Sequence, residues 1–329
     1  MIYKSYCSFN FDGWIDRLID RFINCHPATM NCRALLVALF SAITVEAFVG
    51  IVRPSFLLAS SAKRQSTTKH VLFMGSWGPE PIWTAAKVTS NVPANKSGKC
   101  VSINVELENP DVVKEYKIPG QYVQVRLNEE TKPLFLAIAS PPPSTTLTDD
   151  DTKTFEFLIK KTNDNEWMTT ATSGAQVQIS QVSGGGFPME ENLEGIVKYD
   201  FPTQNIMLFC VGSGIAPIKA AMESGQLGTT SNGRSARLYY GVQTPDDLCF
   251  VDKFSEWEQG GFEVVPVMSQ PTDSWEGRSG YVQNALEEDG VPIPRNSGAL
   301  LCGMKGMAES VKTILLKAGM FEGRILTNF

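Results

Sequence analysis

The stretch Ile206-Met207-Leu208-Phe209-Cys210-Val211-Gly212-Ser213-Gly214-Ile215-Ala216-Pro217 decides the fold. Its apolar first half reads as a strand buried in a parallel sheet, and Gly-Ser-Gly then turns the chain into a helix beginning near Ile215. Gly212 and Gly214 let the main chain approach a pyrophosphate with no Cβ in the way. The new helix aims unpaired N–H groups and the positive end of its dipole at the same place. A second strand, residues 299–302, runs into Cys302-Gly303-Met304-Lys305-Gly306-Met307. Both turns stand at the carboxyl end of a strand, where open parallel sheets bind dinucleotides. Taken alone, Gly-x-Gly after a strand fits an ordinary tight turn equally well. The second turn, roughly 90 residues on, is what favours a nucleotide loop.

Between the turns lie Tyr239-Tyr240-Gly241-Val242-Gln243-Thr244, the run from Val264 to Ser269, and Gly280-Tyr281-Val282-Gln283. In this order the segments resemble the pyridine-nucleotide domain of the ferredoxin–NADP reductase superfamily. The likeness extends in layout from Pro81 to Phe329. Strands at 206–211, 236–242, 262–269 and 299–302 alternate with helices near 215–222, 250–257, 281–286 and 307–317. This alternation predicts a doubly wound α/β parallel sheet with helices on both faces.

The resemblance implies that Gly212, Ser213, Gly214, Ile215, Ala216 and Pro217 hold the pyrophosphate. It places Gln243, Ser269, Gln270 and Tyr281 around the adenosine end, with Gly303, Met304 and Met307 in the second turn. Relatives that read NADP usually carry an arginine where Gln270 stands. Arg278 is the nearby cation that could meet a 2′-phosphate, and the reading favours NADPH over NADH; a surface salt bridge is the other reading of Arg278. Cys302 aligns with the family cysteine beside the nicotinamide, although a small buried residue ending a strand is the plainer explanation. Phe329 aligns with the terminal aromatic that covers the flavin, and Ile325 and Leu326 read as a strand anchoring it.

Upstream, residues 85–89, 100–107, 122–127, 134–139, 155–161 and 176–182 form short alternating runs separated by turn residues, predicting a closed antiparallel β-barrel. Ile118-Pro119-Gly120-Gln121-Tyr122-Val123 resembles the turn and strand preceding the family's flavin strand. Leu134-Phe135-Leu136-Ala137-Ile138-Ala139-Ser140 aligns with the flavin strand itself. Here the chain departs from the family pattern, Arg-x-Tyr-Ser. Leu134, Leu136 and Ala137 replace the arginine, tyrosine and serine, and only Ile138-Ala139-Ser140 is kept. The resemblance implies an FAD (FMN less readily) against Leu136, hydrogen-bonded to the backbone of this strand. Its phosphate then needs another cation, for which Lys132 and Arg126 are candidates. Lys160, with Lys161, ends the next strand where relatives often carry a basic pair. Gly184, Gly185 and Gly186 expose N–H groups that suit a phosphate loop, or else belong to the interdomain linker. The boundary is expected between Phe187 and Pro202, and the polar stretch 144–152 is expected to be an exposed loop.

At 329 residues, 43% hydrophobic and 19% charged, the chain has room for two folded domains and a targeting segment. The first 70 residues hold 8 Lys/Arg against 4 Asp/Glu, leaving 21 basic and 31 acidic residues afterwards, so the remainder carries about −10. Such a charge disfavours nucleic acid and anionic membrane surfaces, and weakens the case for an acidic protein partner such as ferredoxin. The two histidines, His26 and His70, both precede residue 71, which removes His-dependent hydrolase chemistry from the body. Seven scattered cysteines without a Cys-x-x-Cys pair make a metal site improbable, and the four in the body, Cys100, Cys210, Cys249 and Cys302, read as free thiols.

The N-terminal region reads as targeting sequence. Arg33 and the apolar run Ala34 to Phe40, followed by Val45-Glu46-Ala47, form a secretory signal pattern. From Phe48 to Leu72 there is no acidic residue, and Arg53, Lys63, Arg64 and Lys69 sit among Ser and Thr, as in a transit peptide. Together they resemble the bipartite presequences of algae with secondary plastids, with Met30 as an internal start; entry to the secretory pathway is the alternative. The expected layout is targeting region 1–70, flavin barrel 71–195 and nucleotide domain 196–329.

The expected function is that of a flavin-dependent oxidoreductase moving hydride between NAD(P)H and FAD, and then electrons to an acceptor. The family mechanism implies stacking of nicotinamide on flavin without a side-chain acid or base. The alternative is a nucleotide-binding protein that has lost its flavin and serves as a sensor or assembly partner, supported by Leu134 and Ala137.

Overall fold

The computed structural model describes residues 80–143, 153–189, 203–230 and 233–328. The chain divides into two units, Met1–Leu72 and Phe73–Phe329. The presequence, the 144–152 loop, the 190–202 part of the expected domain boundary and Phe329 lie outside the described residues. Among the described residues, no helix is long and apolar enough to cross a membrane.

The first half of the body is an antiparallel sheet of β1 (Thr84–Pro93), β2 (Cys100–Leu107), β3 (Tyr122–Arg126), β4 (Leu134–Ala137), β5 (Thr154–Lys160) and β6 (Gln176–Ile179), in the spatial order β4-β3-β6-β1-β2-β5. Its two ends meet: Ile138, just past β4, bridges Phe157 of β5, and the Ala139 N–H donates to the Glu156 carbonyl at 2.8 Å. The barrel is thereby closed, leaving no free edge there. Alternation accounts for its core, since Val123 and Val125 of β3, Val177 and Ile179 of β6, and Ala86 and Val88 of β1 all point inward.

Two short helices were not anticipated. In α1 (Asp111–Glu115), Val112 and Val113 turn into the barrel core, and in α2 (Glu166–Thr169) Met168 does the same. With five and four residues, they are too short to show a helical period in sequence. A Thr162–Asn165 capping box starts the turn that leads into α2.

The second half is a parallel sheet of β7 (Asn205–Val211), β8 (Ser235–Val242), β9 (Phe262–Met268), β10 (Arg278–Ser279), β11 (Ser297–Cys302) and β12 (Ile325–Thr327), in the order β10-β9-β8-β7-β11-β12. Helices α3 (Ile215–Glu223), α4 (Phe254–Gln259), α5 (Val282–Asp289) and α6 (Lys305–Ala318) connect and cover it. Successive residues of β7 serve opposite cores. Met207 and Phe209 pack with α5 and α6, where Phe209 stacks on Tyr239 at 5.0 Å, whereas Leu208 and Cys210 face α3 and the barrel. Strand order reverses between β7 and β11, making their carboxyl ends the switch point of the sheet.

Helix α3 is buried on every side from Ile215 to Met222. An apolar helix of this kind belongs between two layers rather than on a surface. One core indeed joins Ile215, Ile218 and Ala221 to Leu208 and Leu238 of the sheet and to Ala139, Leu158 and Phe187 of the barrel.

Candidate active site

The two glycine turns meet backbone to backbone at the switch point. Gly212 adopts φ +56°, and its surroundings are open, so it is needed for its conformation. Gly214 is needed for space: a Cβ there would lie 2.6 Å from the Cys302 carbonyl oxygen and 3.0 Å from the Gly303 Cα. Helix α3 starts directly behind, with Pro217 in its first turn, where no backbone donor is lost.

Two cavities open from these turns, of about 750 Å³ and 450 Å³. Gly212, Ser213, Met304 and Lys160 belong to both. The larger lies between barrel and sheet and also receives Gly214, Ala216, Pro217, Cys302 and Gly303. The smaller is walled by Gln243, Ser269, Gln270, Tyr281 and Met307 of the sheet domain, and by Asn95, Lys99 and Cys100 of the barrel. Its loops are pinned by Ser269 N–H donating to the Val242 carbonyl at 3.0 Å and Gln270 N–H to the Gln243 carbonyl at 2.7 Å.

Of the expected pyrophosphate residues, Ile215 does not reach either cavity. It is fully buried in the core under α3, so its part is packing. Arg278 is not in the nucleotide cavity either. Pairing of β10 with β9 sets it beside the end of α5, where it donates to Glu288 at 2.9 Å and to Asp289. Tyr239 at 2.8 Å and Arg237 at 3.0 Å converge on the same Asp289 carboxylate. These donors outweigh its desolvation and hold the Asp289 carboxyl below its ordinary range. The guanidinium is thus committed at the sheet edge, as the salt-bridge reading expected.

The barrel wall also corrects the expectation. Leu134 and Leu136 pair opposite the inward Val125 and Val123, so they lean onto the barrel core, although Leu136 still borders the cleft with Ala137. The outward aromatic surface comes instead from Phe135, 66% exposed, and Tyr122, with ring centroids 5.8 Å apart. The clue was available in Tyr-Val-Gln-Val, whose alternation fixes which face of the neighbouring strand looks outward. Ile138, Ala139 and Ser140 leave the cleft altogether. The first two are fully buried, with their N–H groups spent on Gln121 and Glu156. Ser140 Oγ accepts from Glu156 N–H at 3.3 Å, and its carbonyl accepts from Tyr116 Oη at 2.9 Å. They fasten the barrel seam.

The triglycine loop lines the larger cavity. It is held at one end by Ser183 N–H donating to the Tyr122 carbonyl at 2.8 Å, and at the other by Phe187 N–H donating to the Pro119 carbonyl at 2.7 Å. Between these anchors the Gly184 carbonyl accepts from Gln121 Nε2 at 3.1 Å, while the N–H groups of Gly184, Gly185 and Gly186 make no hydrogen bond among the described residues. Gly184 lies against the Tyr122 ring, leaving no room for a Cβ, and Gly185 faces open space. Free amides between fixed ends suit an anion. Lys160, exposed at the junction of the cavities and without an ion-pair partner among the described residues, is the nearby cation. Arg126 is occupied elsewhere, 4.0 Å above the Trp83 ring and donating to Gln178, and neither it nor Lys132 lines either of these two cavities. The residues present therefore fit a flavin nucleotide: an aromatic face, an amide nest and one unpaired lysine.

Cys302 lines the larger cavity beside Thr327 and Asn328, which β12 brings to its rim; Asn328 N–H donates to the Leu301 carbonyl at 3.2 Å. Burial pushes the Cys302 thiol up to about 12, a hydrogen bond with Asn328 opposing it in part.

Lys219 escaped the sequence reading. It lies within α3, 5% exposed, and its Nζ donates to Glu156 at 2.9 Å, to Glu223 at 2.7 Å and to the Ala139 carbonyl at 3.3 Å. Glu156 also accepts from Ser102, and Glu223 from Trp257. A lysine amid Ile-Ala-Pro-Ile and Ala-Ala-Met was the available signal, because a charge in an apolar run must find partners.

A barrel with a flavin-sized cleft, joined to a parallel sheet with a nucleotide turn at its switch point, defines a two-domain dinucleotide-dependent flavin reductase. The family model for the oxidoreductase NAD-binding domain matches residues 208–313. Fruit protein pKIWI502 of Actinidia deliciosa is 32% identical over 255 residues, covering 74% of this chain and 76% of its own. The anthranilate 1,2-dioxygenase electron transfer component of Acinetobacter baylyi is 22% identical over 203 residues; the match takes in 60% of this chain and spans only 53% of that protein. Among solved structures, a ferredoxin NADP+ reductase from Neisseria gonorrhoeae with bound FAD and NADP superposes with a TM-score of 0.59 at 17% identity, over 75% of this chain and 98% of that one. The chain belongs to the ferredoxin reductase-like family of FAD- and NAD-binding oxidoreductases. It is an enzyme of the NAD(P)H-dependent flavin oxidoreductase class, and FAD and NAD(P) are the cofactors of that class.

Proposed function

We propose that this protein is an NADH-oxidising flavin reductase that serves a separate electron acceptor, with the dinucleotide in the smaller cavity and the flavin in the larger. The observation that carries the reading is the shared junction: Gly212, Ser213 and Met304 border both cavities, and Cys302 stands beside them on the larger side. A flavin bound there supplies the conversion of a two-electron hydride donor into an electron source for other proteins. The chain's own contribution is placement. The Gly212–Gly214 turn and the start of α3 receive a pyrophosphate, the amides of Gly184 to Gly186 and Lys160 receive the flavin's phosphates, and Tyr122 with Phe135 offers an aromatic face. Cys302, small and uncharged at neutral pH, lets two rings approach without competing for a proton.

What supports NADH over NADPH is the disposition of cations. A 2′-phosphate needs an arginine or lysine, yet Arg278 is held by two carboxylates outside the cavity, Lys99 is paired with Asp247 at 3.0 Å, and Lys160, at the junction with the larger cavity, is the cation for the flavin's phosphates. Gln243 and Gln270 stand at the adenosine end instead. The test is to purify the full chain, record its flavin absorbance and measure reduction of a one-electron dye with each coenzyme. A yellow protein with kcat/KM for NADH at least about tenfold above NADPH is expected. A colourless protein that still binds NADH would replace this reading with that of a nucleotide sensor.

For the region before the body we propose import into a plastid. A fluorescent fusion of residues 30–70, begun at Met30, should enter plastids, and secretion of the fusion would refute it.

A further inference from the structure

The turn Cys302-Gly303-Met304 leaves one apolar side chain uncovered where the two cavities meet. Met304 is 61% exposed and borders both of them, whereas every other methionine among the described residues is at most 5% exposed and serves packing. Single exposed apolar side chains are ordinary on a protein surface, so exposure by itself assigns nothing. Place does. The main chain here is pinned: Met304 is the N-cap of α6, and its carbonyl accepts from the Ala308 N–H at 3.1 Å. Beside it Gly303 adopts φ +139° and packs so closely that a Cβ would lie 3.1 Å from the Val211 nitrogen. A flexible thioether is therefore carried on a fixed backbone, in the stretch of wall that Gly212 and Ser213 also line. Whatever enters either cavity meets it, and so does any small oxidant.

We propose that Met304 is a reversible oxidation site: hydrogen peroxide converts its thioether to the sulfoxide ahead of the buried methionines, and the sulfoxide weakens dinucleotide binding. The clause on binding rests on the nucleotide reading of the smaller cavity; the selective oxidation does not.

In this reaction a sulfur lone pair forms an S–O bond to one peroxide oxygen and the O–O bond breaks. The other oxygen leaves as hydroxide with the electron pair, takes the proton of the new S–OH group and becomes water. The sulfur is oxidised by two electrons, and the peroxide is reduced by two. A thioether needs no ionisation to react, so no neighbouring acid or base is called for and access decides which methionine is oxidised. The product is polar and chiral where the thioether was flexible and apolar. Its oxygen is hydrated while the cavity is open, and a coenzyme docking against it must strip that water, which costs affinity. Methionine sulfoxide reductases return the thioether, so the change is reversible.

The experiment uses the full chain and NAD+, which binds without acting as a reductant. Its Kd is first measured by titration calorimetry, and failure to bind would sink the nucleotide reading while leaving the oxidation open to test. The protein is then exposed to limiting hydrogen peroxide, alone or with saturating NAD+. Dithiothreitol follows, restoring sulfenic acids and disulfides but not sulfoxide, and peptide mass spectrometry covers all 11 methionines. Sulfoxide at Met304 is expected to form at least about fivefold faster than at any other described methionine, and several-fold more slowly under NAD+. The Kd for NAD+ should rise at least about threefold and recover on treatment with methionine sulfoxide reductases of both stereospecificities. In Met304→Leu the Kd, whatever its starting value, should not respond to peroxide. Equal rates at Met304 and at the buried methionines would overturn the site. Met304 sulfoxide with an unchanged Kd, no protection by bound NAD+, or a response that persists in Met304→Leu would overturn its effect on binding.

Discussion

Gly212 and Gly214 look alike in sequence but answer to different constraints, and their alanine variants should separate them. At Gly214 the added Cβ meets the Cys302 carbonyl at 2.6 Å, backbone against backbone, so neither side can yield cheaply. Gly214→Ala is expected to cost about 1–3 kcal/mol in urea unfolding and to weaken NADH binding. Gly212→Ala meets nothing and pays only for φ +56°, about 1–2 kcal/mol. Cys302 gives a pH test. Its thiol is raised by burial, so its share of stability is whole below the unfolded value of about 8.5 and falls as pH climbs toward about 12. Iodoacetamide labelling of Cys302 should accordingly show no inflection between about pH 6 and 9; an inflection near the ordinary thiol value would contradict the burial. The glycine turns were legible in the sequence because only glycine meets such demands. The role of Arg278 was not, because its partner Asp289 lies on another element and only the β10–β9 pairing shows that the two meet.

Among the elements, α3 carries the most. Its sequence announced a helix behind a phosphate turn, but not that its flank is the joint between domains. Replacing Lys219 by methionine would keep its packing and leave Glu156 and Glu223 facing each other without a cation. A loss of about 3 kcal/mol is expected, on the low side for a broken buried pair because the two carboxylates are 18% and 19% exposed. The double variant K219M/E156Q should recover part of it in thermal unfolding, and no recovery would mean that the ions do not act as a unit. The strands were legible because period-2 alternation marks the barrel and continuous apolar runs mark the parallel sheet. The facing of β4 was not, because Leu-Phe-Leu-Ala has no polar residue to show which side is wet. Its partner β3 decides that: Phe135→Ala should leave stability nearly unchanged, since the ring is mostly exposed, and lower flavin retention during dialysis.

At the scale of the molecule, the order of elements was legible because each kind of layer imposes its own pattern, while the seam between layers was not, because it is built from single residues far apart in sequence. Asn95 and Asp247, or Lys219 and Glu156, carry no mark of each other until two domains are laid together. The immersion of α3 between barrel and sheet has a mechanical consequence. Swinging one domain away from the other would part Lys219 from Glu156 and the Ala139 carbonyl and wet the apolar core that α3 shares with the barrel, so coenzyme must enter and leave a rigid slot by its open mouth. Small-angle scattering of the body should then be superimposable with and without NADH, and turnover should depend on loop motion at the rim rather than on opening of the whole.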